Sequence, residues 1–322
     1  MKIAFVWDWD VVEHQTIGWQ DGLAAALKEI ERRGHHLGVF CPGDISRELI
    51  HPYFQIHIRK NLDLAIEEFE PDVILMWADQ TRPNAQPLFK LGRPMALCFA
   101  GGNPFGDNLD IWDHIFVESE YYKVRYNDEG YDNVSIAFGT NTELFTPVPN
   151  QPKIFDTIFP ATFAHWKRHG LYAEAVRGLK SLAVGLIQPN GIDEGSWKDT
   201  LEKGSVILPH VTAEVLRYLY SASKICVVTS GSDGGSQRTV LEAMAMNIPL
   251  IVTDSNKFDY AWGHGTFECE PDPREIRSYI NALLDGEQDI NTRDYVLEYW
   301  SEKNYADSLL EGLEKINEVP TL

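Results

Sequence analysis

The amino-acid sequence predicts two doubly wound α/β domains, each built on a parallel β-sheet with helices on both faces. Its 322 residues are long for one domain and sufficient for two. Short apolar runs alternate with amphipathic segments throughout, which is typical of a parallel sheet covered on both faces. Near the middle, the proline-rich stretch "FTPVPNQPKI" at residues 145–154 interrupts this alternation and indicates a linker.

The first half contains a series of candidate strands, each a short and mostly apolar run. They are Ile3–Trp7, His36–Phe40, Val73–Trp77, Met95–Ala100, His114–Val117 and Val134–Phe138. Between the first two strands, Leu23, Leu27 and Ile30 recur at helical spacing, and Gly34 is a suitable C-terminal stop. This segment is therefore predicted to be the first crossover helix.

The alternation restarts after the linker and ends in a helical tail. The candidate strands there are Ile154–Ile158, Ala183–Leu186, Ser205–Leu208, Ile225–Val228 and Leu250–Val252. We predict an N-terminal Rossmann-like domain over residues 1–148 and a C-terminal one over 149–300. A helix over 301–322 is expected to return to the N-terminal domain. Ligands of doubly wound proteins bind at the carboxyl ends of the strands, so we expect a site in the cleft between the domains.

Composition restricts the function classes. The formal net charge of -20 disfavours nucleic acid and anionic membranes as partners, because the long-range field repels both, although a local basic groove stays compatible with it. The cysteines, Cys41, Cys98, Cys226 and Cys269, show no CxxC spacing and are expected to be buried thiols in a reducing compartment. No signal peptide or membrane-spanning run is visible, so we expect a cytoplasmic protein.

The most informative segment is "TSGSDGGSQRTVLEAMAMNIPLIVTDS", residues 229–255. It predicts a strand, a glycine-rich turn, a helix with Ser236 as N-cap and Asn247 as stop, and a second parallel strand. Glycines let a ligand approach the backbone, and a helix N-terminus offers unpaired N–H groups and a positive dipole. The unit therefore suits an anion such as a diphosphate.

Glu242 lies about six residues inside this helix, roughly 9 Å along its axis. Helical side chains tilt toward the N-terminus, so its carboxylate can reach hydroxyls beyond the phosphates, such as those of a ribose. The alternative is a solvent-facing glutamate on an ordinary crossover helix, since glycine loops before helices are common.

Several segments resemble family 4 of the retaining glycosyltransferases, which have the GT-B fold. The strongest similarity is "LYSASKICVVTSGSDGGSQRTVLEAMAMNIPLIVTDS", which looks like the donor-binding segment of that family. "GWQDGLAAALKEIERRGHHLGVF", "VSIAFGTNTELFTP" and "EPDPREIRSYINALL" are similar to its first helix, its interdomain segment and one of its last helices. The resemblance implies two Rossmann-like domains that face each other across a cleft.

The resemblance also implies roles for individual residues. Glu242 would hold the ribose hydroxyls, and the loop Gly231, Ser232, Asp233, Gly234, Gly235 and Ser236 would face the diphosphate and the donor sugar. "ATFAHWKRHGLYAEAV" is similar to the family's basic phosphate-binding segment, so Lys167 would neutralise the diphosphate and act as a catalytic group. Without the resemblance, a solvated lysine in a charge cluster is an equally good interpretation of Lys167 as a phosphate-binding residue.

The sequence departs from the family pattern in three places. Thr162 stands where the family has an arginine, so that phosphate contact is missing or comes from Arg168 or Arg238. Gly234 stands where the family has its first glutamate, and the adjacent Asp233 is a candidate catalytic replacement. In the first N-terminal loop, the family's paired glycines are reduced to Gly18.

Candidate acceptor-side residues follow predicted strands of the first domain. Asp8 and Asp10 come directly after the first strand, His14 follows a few residues later, and Asp79 comes after the strand ending at Trp77. Gly101 and Gly102 follow another strand and would let an acceptor come close. His14 is a candidate for positioning acceptor or donor sugar, with a surface loop histidine as the alternative.

The "DWD" of residues 8–10 also matches the DxD pattern that binds a metal–nucleotide complex in another glycosyltransferase fold. Three residues in so acidic a chain are a weak signal, so we expect neither a metal nor another cofactor.

Taken together, these features predict a hexosyl- or pentosyltransferase that moves a sugar from a nucleotide-diphosphate donor to an acceptor hydroxyl. The family mechanism needs no protein nucleophile, because the departing phosphate oxygen takes the acceptor proton. One alternative is a sugar-nucleotide epimerase of the same fold. Another is a non-catalytic nucleotide-sugar binding protein that has lost its first glutamate. A nucleic-acid acceptor, as in enzymes that glycosylate modified bases, is a minority alternative.

Overall fold

The computed structural model divides the chain into two compact units. It describes residues 1–7, 22–50, 53–78, 85–99, 109–186, 198, 200, 202–231, 238–253, 265–286 and 290–318. Unit 1 comprises Met1–Gly139 together with Glu302–Leu322, and unit 2 comprises Thr140–Ser301. Each unit is built on one β-sheet.

The sheet of unit 1 is parallel except at one edge. Its strands are β1 Lys2–Trp7, β2 His36–Pro42, β3 Arg47–Ile50, β4 Gln55–Arg59, β5 Val73–Ala78, β6 Met95–Phe99, β7 His114–Val117 and β8 Val134–Ile136. Their spatial order is β3-β4-β2-β1-β5-β6-β7-β8, and the edge strand β3 runs antiparallel to β4. The chain moves outward from β1 on one side of the sheet and outward from β5 on the other. The switch point of this sheet therefore lies between those two strands.

The sheet of unit 2 is parallel throughout. Its strands are β9 Phe155–Pro160, β10 Ser181–Val184, β11 Val206–Leu208, β12 Ser223–Val228, β13 Leu250–Thr253 and β14 Thr266–Cys269. They lie in the order β11-β10-β9-β12-β13-β14. The chain runs outward from β9 on one side and from β12 on the other, so the switch point lies between β9 and β12, which pair directly.

Helices cover both sheets. In chain order they are α1 Gly22–Arg32, α2 Leu62–Phe69, α3 Ala85–Phe89, α4 Glu120–Asp128, α5 His169–Ala175, α6 Ala213–Ser221, α7 Arg238–Ala245, α8 Pro273–Asp285, α9 Thr292–Tyr299 and α10 Glu302–Asn317. Alternate residues of β1 belong to different cores: Ile3 and Phe5 pack with α1 and α10, whereas Ala4 and Val6 pack on the opposite face. Both faces of the sheet are therefore buried, as continuous apolar strands require.

The predicted doubly wound α/β class is confirmed, with strand ends that differ by a few residues. Gly34 ends the first helix in a left-handed conformation at φ 91°, as predicted, and Asn247 ends α7 in the same way at φ 52°. All four cysteines are buried, as predicted. The strands β3, β4 and β14 were not predicted from the sequence.

The boundary between the units differs from the predicted position after residue 148. The first segment of unit 1 ends at Gly139. The residues that follow it form their backbone pairing and hydrogen bonds with other residues of unit 2. Thr140 forms a parallel bridge with Ser301, and the Arg293 guanidinium donates to the carbonyl oxygen of Phe145 at 2.7 Å. The tail forms two helices, α9 and α10, and α10 packs against α1 within unit 1.

Candidate functional site

The candidate site lies at the carboxyl ends of β9 and β12, the two strands that flank the switch point of unit 2. These strands are neighbours in the sheet, and Cys226 of β12 pairs with Ile158 of β9. The connections that leave a switch point diverge to opposite sides of the sheet and open a crevice between them. The basic segment predicted to bind phosphate follows β9, and the glycine-rich segment follows β12.

The basic segment follows β9 as a tight turn. Residues His165–Lys167 form one turn of 3-10 helix, and Arg168 then adopts a left-handed conformation at φ 54° and ψ 47°. The helix α5 begins at the next residue, His169. Positive φ is uncommon for a residue with a side chain. The contacts described next hold Arg168 in this conformation.

Hydrogen bonds from Gly231 and Thr229 tie this turn to the loop after β12. The backbone N–H of Gly231 donates to the carbonyl oxygen of Trp166 at 2.7 Å. The Thr229 hydroxyl lies 2.9 Å from the carbonyl oxygen of Lys167 and 3.2 Å from that of Arg168. Thr229 is fully buried, so these contacts are shielded from water. They place Lys167 and Gly231, far apart in sequence, side by side.

The guanidinium of Arg168 packs against the glycine loop. Its Nη2 donates to the carbonyl oxygen of Ser230 at 3.1 Å. A Cβ on Gly231 would lie 3.1 Å from Nη2 and 3.2 Å from Nε of the same side chain. Glycine is therefore the residue that lets the arginine come this close. Of the two predicted substitutes for the family's arginine, Arg168 lies beside this loop, and Arg238 begins α7.

The helix α7 is anchored to the same strand end. The Thr239 hydroxyl, in its first turn, donates to the carbonyl oxygen of Pro160, the last residue of β9, at 2.9 Å. Glu242 follows one turn later and is partly buried. Its Oε2 accepts a hydrogen bond of 2.9 Å from the Tyr220 hydroxyl. The structure thus brings the turn, Gly231 at the start of the glycine loop, and the carboxylate helix to one edge of one sheet.

The electrostatics of this edge differ from those of the whole chain. Against a net charge of -20, the turn carries the cationic side chains of Lys167 and Arg168, whereas the next residue, His169, is fully buried with its ring stacked on Phe163. A short-range cationic cluster attracts an anion even where the overall field repels it, because salt screens distant charges beyond about 8–10 Å. The arrangement is able to hold a multiply charged anion with a hydroxylated group attached.

In unit 1, the strands that precede several acceptor-side candidates also flank a switch point. Trp7 ends β1 and pairs in register with Trp77 near the end of β5, and their rings stack at 4.1 Å with an interplanar angle of 3°. Both side chains are buried. Asp8 and Asp79 follow these strands in the sequence at residues 8 and 79, beyond the described part of each segment.

A larger set of predicted site residues lies outside the described residues, and their roles stay predictions. They are Asp8, Asp10, His14, Gly18, Asp79, Gly101, Gly102, Ser232, Asp233, Gly234, Gly235 and Ser236. Within the described ranges, no group of three or more His, Cys, Asp or Glu side chains is arranged to hold a metal ion.

Sequence reasoning missed two residues that build this edge. Tyr220 reads as a core aromatic because it occupies a buried helical position, and its hydroxyl contact with Glu242 spans two elements. Thr229 reads as a turn residue, although its hydroxyl joins the two loops. A tyrosine in place of phenylalanine at a buried position is the signal available for Tyr220, because a buried phenol needs a hydrogen-bond partner.

Comparison with known families finds a match within the second unit. Residues 156–286 match the family described as Glycosyl transferases group 1. The match includes the turn with Lys167, the glycine loop and α7. The predicted resemblance to glycosyltransferases is therefore confirmed for this part of the chain. A search of curated proteins finds no significant match.

Solved structures extend the similarity in fold to the whole chain. Sucrose-phosphate synthase from Thermosynechococcus elongatus is 15% identical with a TM-score of 0.72, and 98% of each chain is covered. HepE from Anabaena, in complex with UDP-glucose, is 14% identical with a TM-score of 0.71, covering 98% of this chain and 100% of its own. A putative UDP-N-acetylglucosamine 2-epimerase from Listeria monocytogenes is 14% identical with a TM-score of 0.63, covering 100% of this chain and 98% of its own.

These structural similarities confirm the predicted GT-B fold class. At such low identities they show the fold alone. Among the helices of the described residues, none combines the length and apolar character that a membrane span requires.

Proposed function

We propose that this chain, which carries a Glycosyl transferases group 1 domain over residues 156–286, transfers a sugar from a nucleotide-diphosphate donor to an acceptor hydroxyl, with retention of anomeric configuration. The observation that supports this most strongly is the assembly at the switch point of unit 2. A basic turn, the first glycine of the loop and a helix bearing a carboxylate lie at the carboxyl ends of β9 and β12. This combination of groups matches the parts of a sugar nucleotide.

Each part of the assembly has a proposed task. The Lys167 ammonium and the Arg168 guanidinium neutralise the diphosphate. The loop from Gly231 to Ser236 faces the diphosphate and the donor sugar, and its residues after Gly231 supply backbone N–H groups, since the Gly231 N–H already donates to Trp166. Arg238, at the start of α7, is a further candidate for the phosphates. Glu242 accepts hydrogen bonds from the ribose hydroxyls. Asp233 stands beside the position of the family's first glutamate and is the candidate contact to the donor sugar.

Catalysis then rests on stabilising the leaving group. As the bond between the anomeric carbon and the phosphate oxygen breaks, negative charge grows on the diphosphate, and fixed cationic and N–H groups lower the energy of that state. The departing phosphate oxygen takes the proton of the acceptor hydroxyl as the new glycosidic bond forms. His14, Asp8, Asp10, Asp79, Gly101 and Gly102 are the candidates for placing the acceptor or the donor sugar.

The experiment that tests donor binding is a thermal-shift panel of UDP, GDP, ADP, CDP and TDP with their common sugars. UDP and UDP-glucose are tested first, because HepE, which has the same fold, was solved with UDP-glucose. A ligand at 100 times its dissociation constant stabilises the folded protein by about 2.7 kcal/mol. The absence of a shift across the whole panel would contradict a donor site.

An epimerase is the second candidate, favoured by the similarity in fold to the putative 2-epimerase and by Gly234 at the position of the family's first glutamate. Product analysis separates the two activities: a transferase needs an acceptor and leaves the transferred sugar unchanged, whereas an epimerase alters the sugar without an acceptor. A non-catalytic binding protein would show neither change above background.

We expect EDTA to leave transfer activity unchanged, because Lys167 and Arg168 take the charge-neutralising role that a divalent cation fills in other glycosyltransferases. Activity is measured with and without chelator on the same preparation. Loss of activity that manganese or magnesium restores would contradict this expectation and would assign Asp8 and Asp10 to a metal site.

Glu242→Gln is expected to weaken nucleoside-diphosphate binding by about 1.5–3 kcal/mol, or roughly ten- to a hundredfold, since a hydrogen bond to a charged group has this worth. Glutamine keeps the size and removes the charge. Titration calorimetry with the ribonucleotide and its 2′,3′-dideoxy analogue measures the effect. Equal losses for both nucleotides would mean that Glu242 acts through structure alone.

A further inference from the structure

The Tyr220 hydroxyl makes the most specific contact that the structure shows for Glu242. It lies 2.9 Å from Oε2 of the carboxylate, and the next acceptor within reach, the carbonyl oxygen of Thr239, is 3.4 Å away. The phenol has one proton to donate, so the shorter contact to the charged carboxylate takes it. The contact therefore joins Tyr220 on α6 to Glu242 on α7.

Tyr220 is held rigidly. It lies near the C-terminal end of α6 with no exposed surface, and its ring meets that of Phe145 at 6.1 Å and 85°, an edge-to-face arrangement. Burial, followed by the negative charge of Glu242, raises the pKa of Tyr220 well above the ordinary value of a tyrosine. The hydroxyl therefore keeps its proton at neutral pH and acts as a donor.

A fixed donor on one carboxylate oxygen restricts the whole carboxylate. A glutamate side chain has several rotatable bonds, and ordering it at the moment of binding costs affinity. Because Oε2 is bonded to Tyr220, the conformations open to the carboxylate are restricted before any ligand arrives. A carboxylate has two oxygens and about four lone-pair sites, so the bond to Tyr220 is compatible with hydrogen bonds from two adjacent hydroxyls of a ribose.

We propose that Tyr220 is a positioning residue that orients the Glu242 carboxylate for the ribose hydroxyls, so that selectivity for ribonucleotides depends on a buried phenol outside the glycine loop and the basic turn. This inference rests on the proposed donor site. It adds to that site a residue on a third element, α6, which reaches the ligand only through Glu242.

Tyr220→Phe tests the proposal, because phenylalanine keeps the buried ring and removes the hydroxyl. The probe is the tightest-binding nucleoside diphosphate among UDP, GDP, ADP and CDP, compared with its 2′,3′-dideoxy analogue by titration calorimetry. The Kd of the ribonucleotide is expected to rise about 3- to 10-fold, the worth of one hydrogen bond, and that of the dideoxy analogue to stay unchanged. In a Glu242→Gln background the same substitution is expected to add little, since the contact is already weakened.

Tyr218→Phe is the matched control, because Tyr218 lies on the same helix and is 52% exposed. It is expected to bind both nucleotides as the wild type does. A Tyr220→Phe variant that binds the ribonucleotide as the wild type does, or that weakens both nucleotides equally, would overturn the inference and leave the donor site intact. A wild type that binds none of the nucleotides would overturn both.

Discussion

Replacing Arg293 by alanine is expected to lower the stability of unit 2 by about 2–4 kcal/mol, the range for breaking a partly buried hydrogen-bond network. The guanidinium donates to the carbonyl oxygens of Ala245 at 2.6 Å, Phe145 at 2.7 Å and Thr142 at 3.1 Å, and to the Thr146 hydroxyl at 3.0 Å. Alanine would leave these acceptors without their charged donor.

The effect is expected to be local to the helix that carries Glu242. Ala245 is the last residue of α7, so Arg293 satisfies a carbonyl that a helix end leaves open. Urea unfolding measures the loss of stability, and hydrogen exchange resolved by peptide locates it in α7 and in residues 140–146. Arg274→Ala is the control, because that side chain is 93% exposed; a change within about 0.5 kcal/mol is expected there. Equal midpoints for the two variants would contradict the role of Arg293.

Lys167→Ala is expected to reduce kcat/KM for transfer by about 10²–10³-fold, the cost of removing one group that stabilises charge in a transition state. Affinity for the product nucleoside diphosphate is expected to fall by about 1.5–3 kcal/mol. Both follow from the position of Lys167, whose backbone is bonded to Thr229 beside the glycine loop.

The matched control is Lys180→Ala. Lys180 is an exposed lysine of the same unit that directly precedes β10, at the amino-terminal edge of the sheet and therefore away from the strand ends of the site. It removes the same charge and is expected to leave kinetics and affinity unchanged. Unchanged affinity in a folded Lys167→Ala variant would remove Lys167 from the site. A parallel loss in the Lys180 variant would show that net charge, and not position, is responsible.

The sheets were largely predictable from the sequence because most strands are buried on both faces. Runs such as Val73–Ala78 have no polar side chain to confuse their assignment. β3 was missed because it is an exposed edge strand, "RELI", that carries charged residues, and β4, "QIHIR", is likewise half polar. The helix predicted over 301–322 corresponds to α10, Glu302–Asn317, and the preceding Ser301 forms a bridge with Thr140, a contact between distant parts of the sequence that spacing does not reveal.

The candidate site was predictable in part. The resemblance nominated Lys167, Gly231 and Glu242, and the physical argument from the glycine loop nominated the anion. The joining contacts, Gly231 with Trp166 and Glu242 with Tyr220, depend on which strands are neighbours and not on sequence spacing. The contact of Arg168 with the carbonyl oxygen of Ser230 accompanies the left-handed turn at Arg168, which no propensity rule anticipates for an arginine.

We propose that the edge of the sheet at β9 and β12 binds and activates a nucleotide-diphosphate sugar. The most direct measurement is release of nucleoside diphosphate from the panel of sugar nucleotides, with a library of hydroxylated acceptors and with water alone. We predict release by the wild type for at least one donor, transfer of a sugar that is unchanged and retains its anomeric configuration, and release at background level in the Lys167→Ala/Glu242→Gln double variant. Release that the double variant sustains equally, or none from any donor, would contradict the claim.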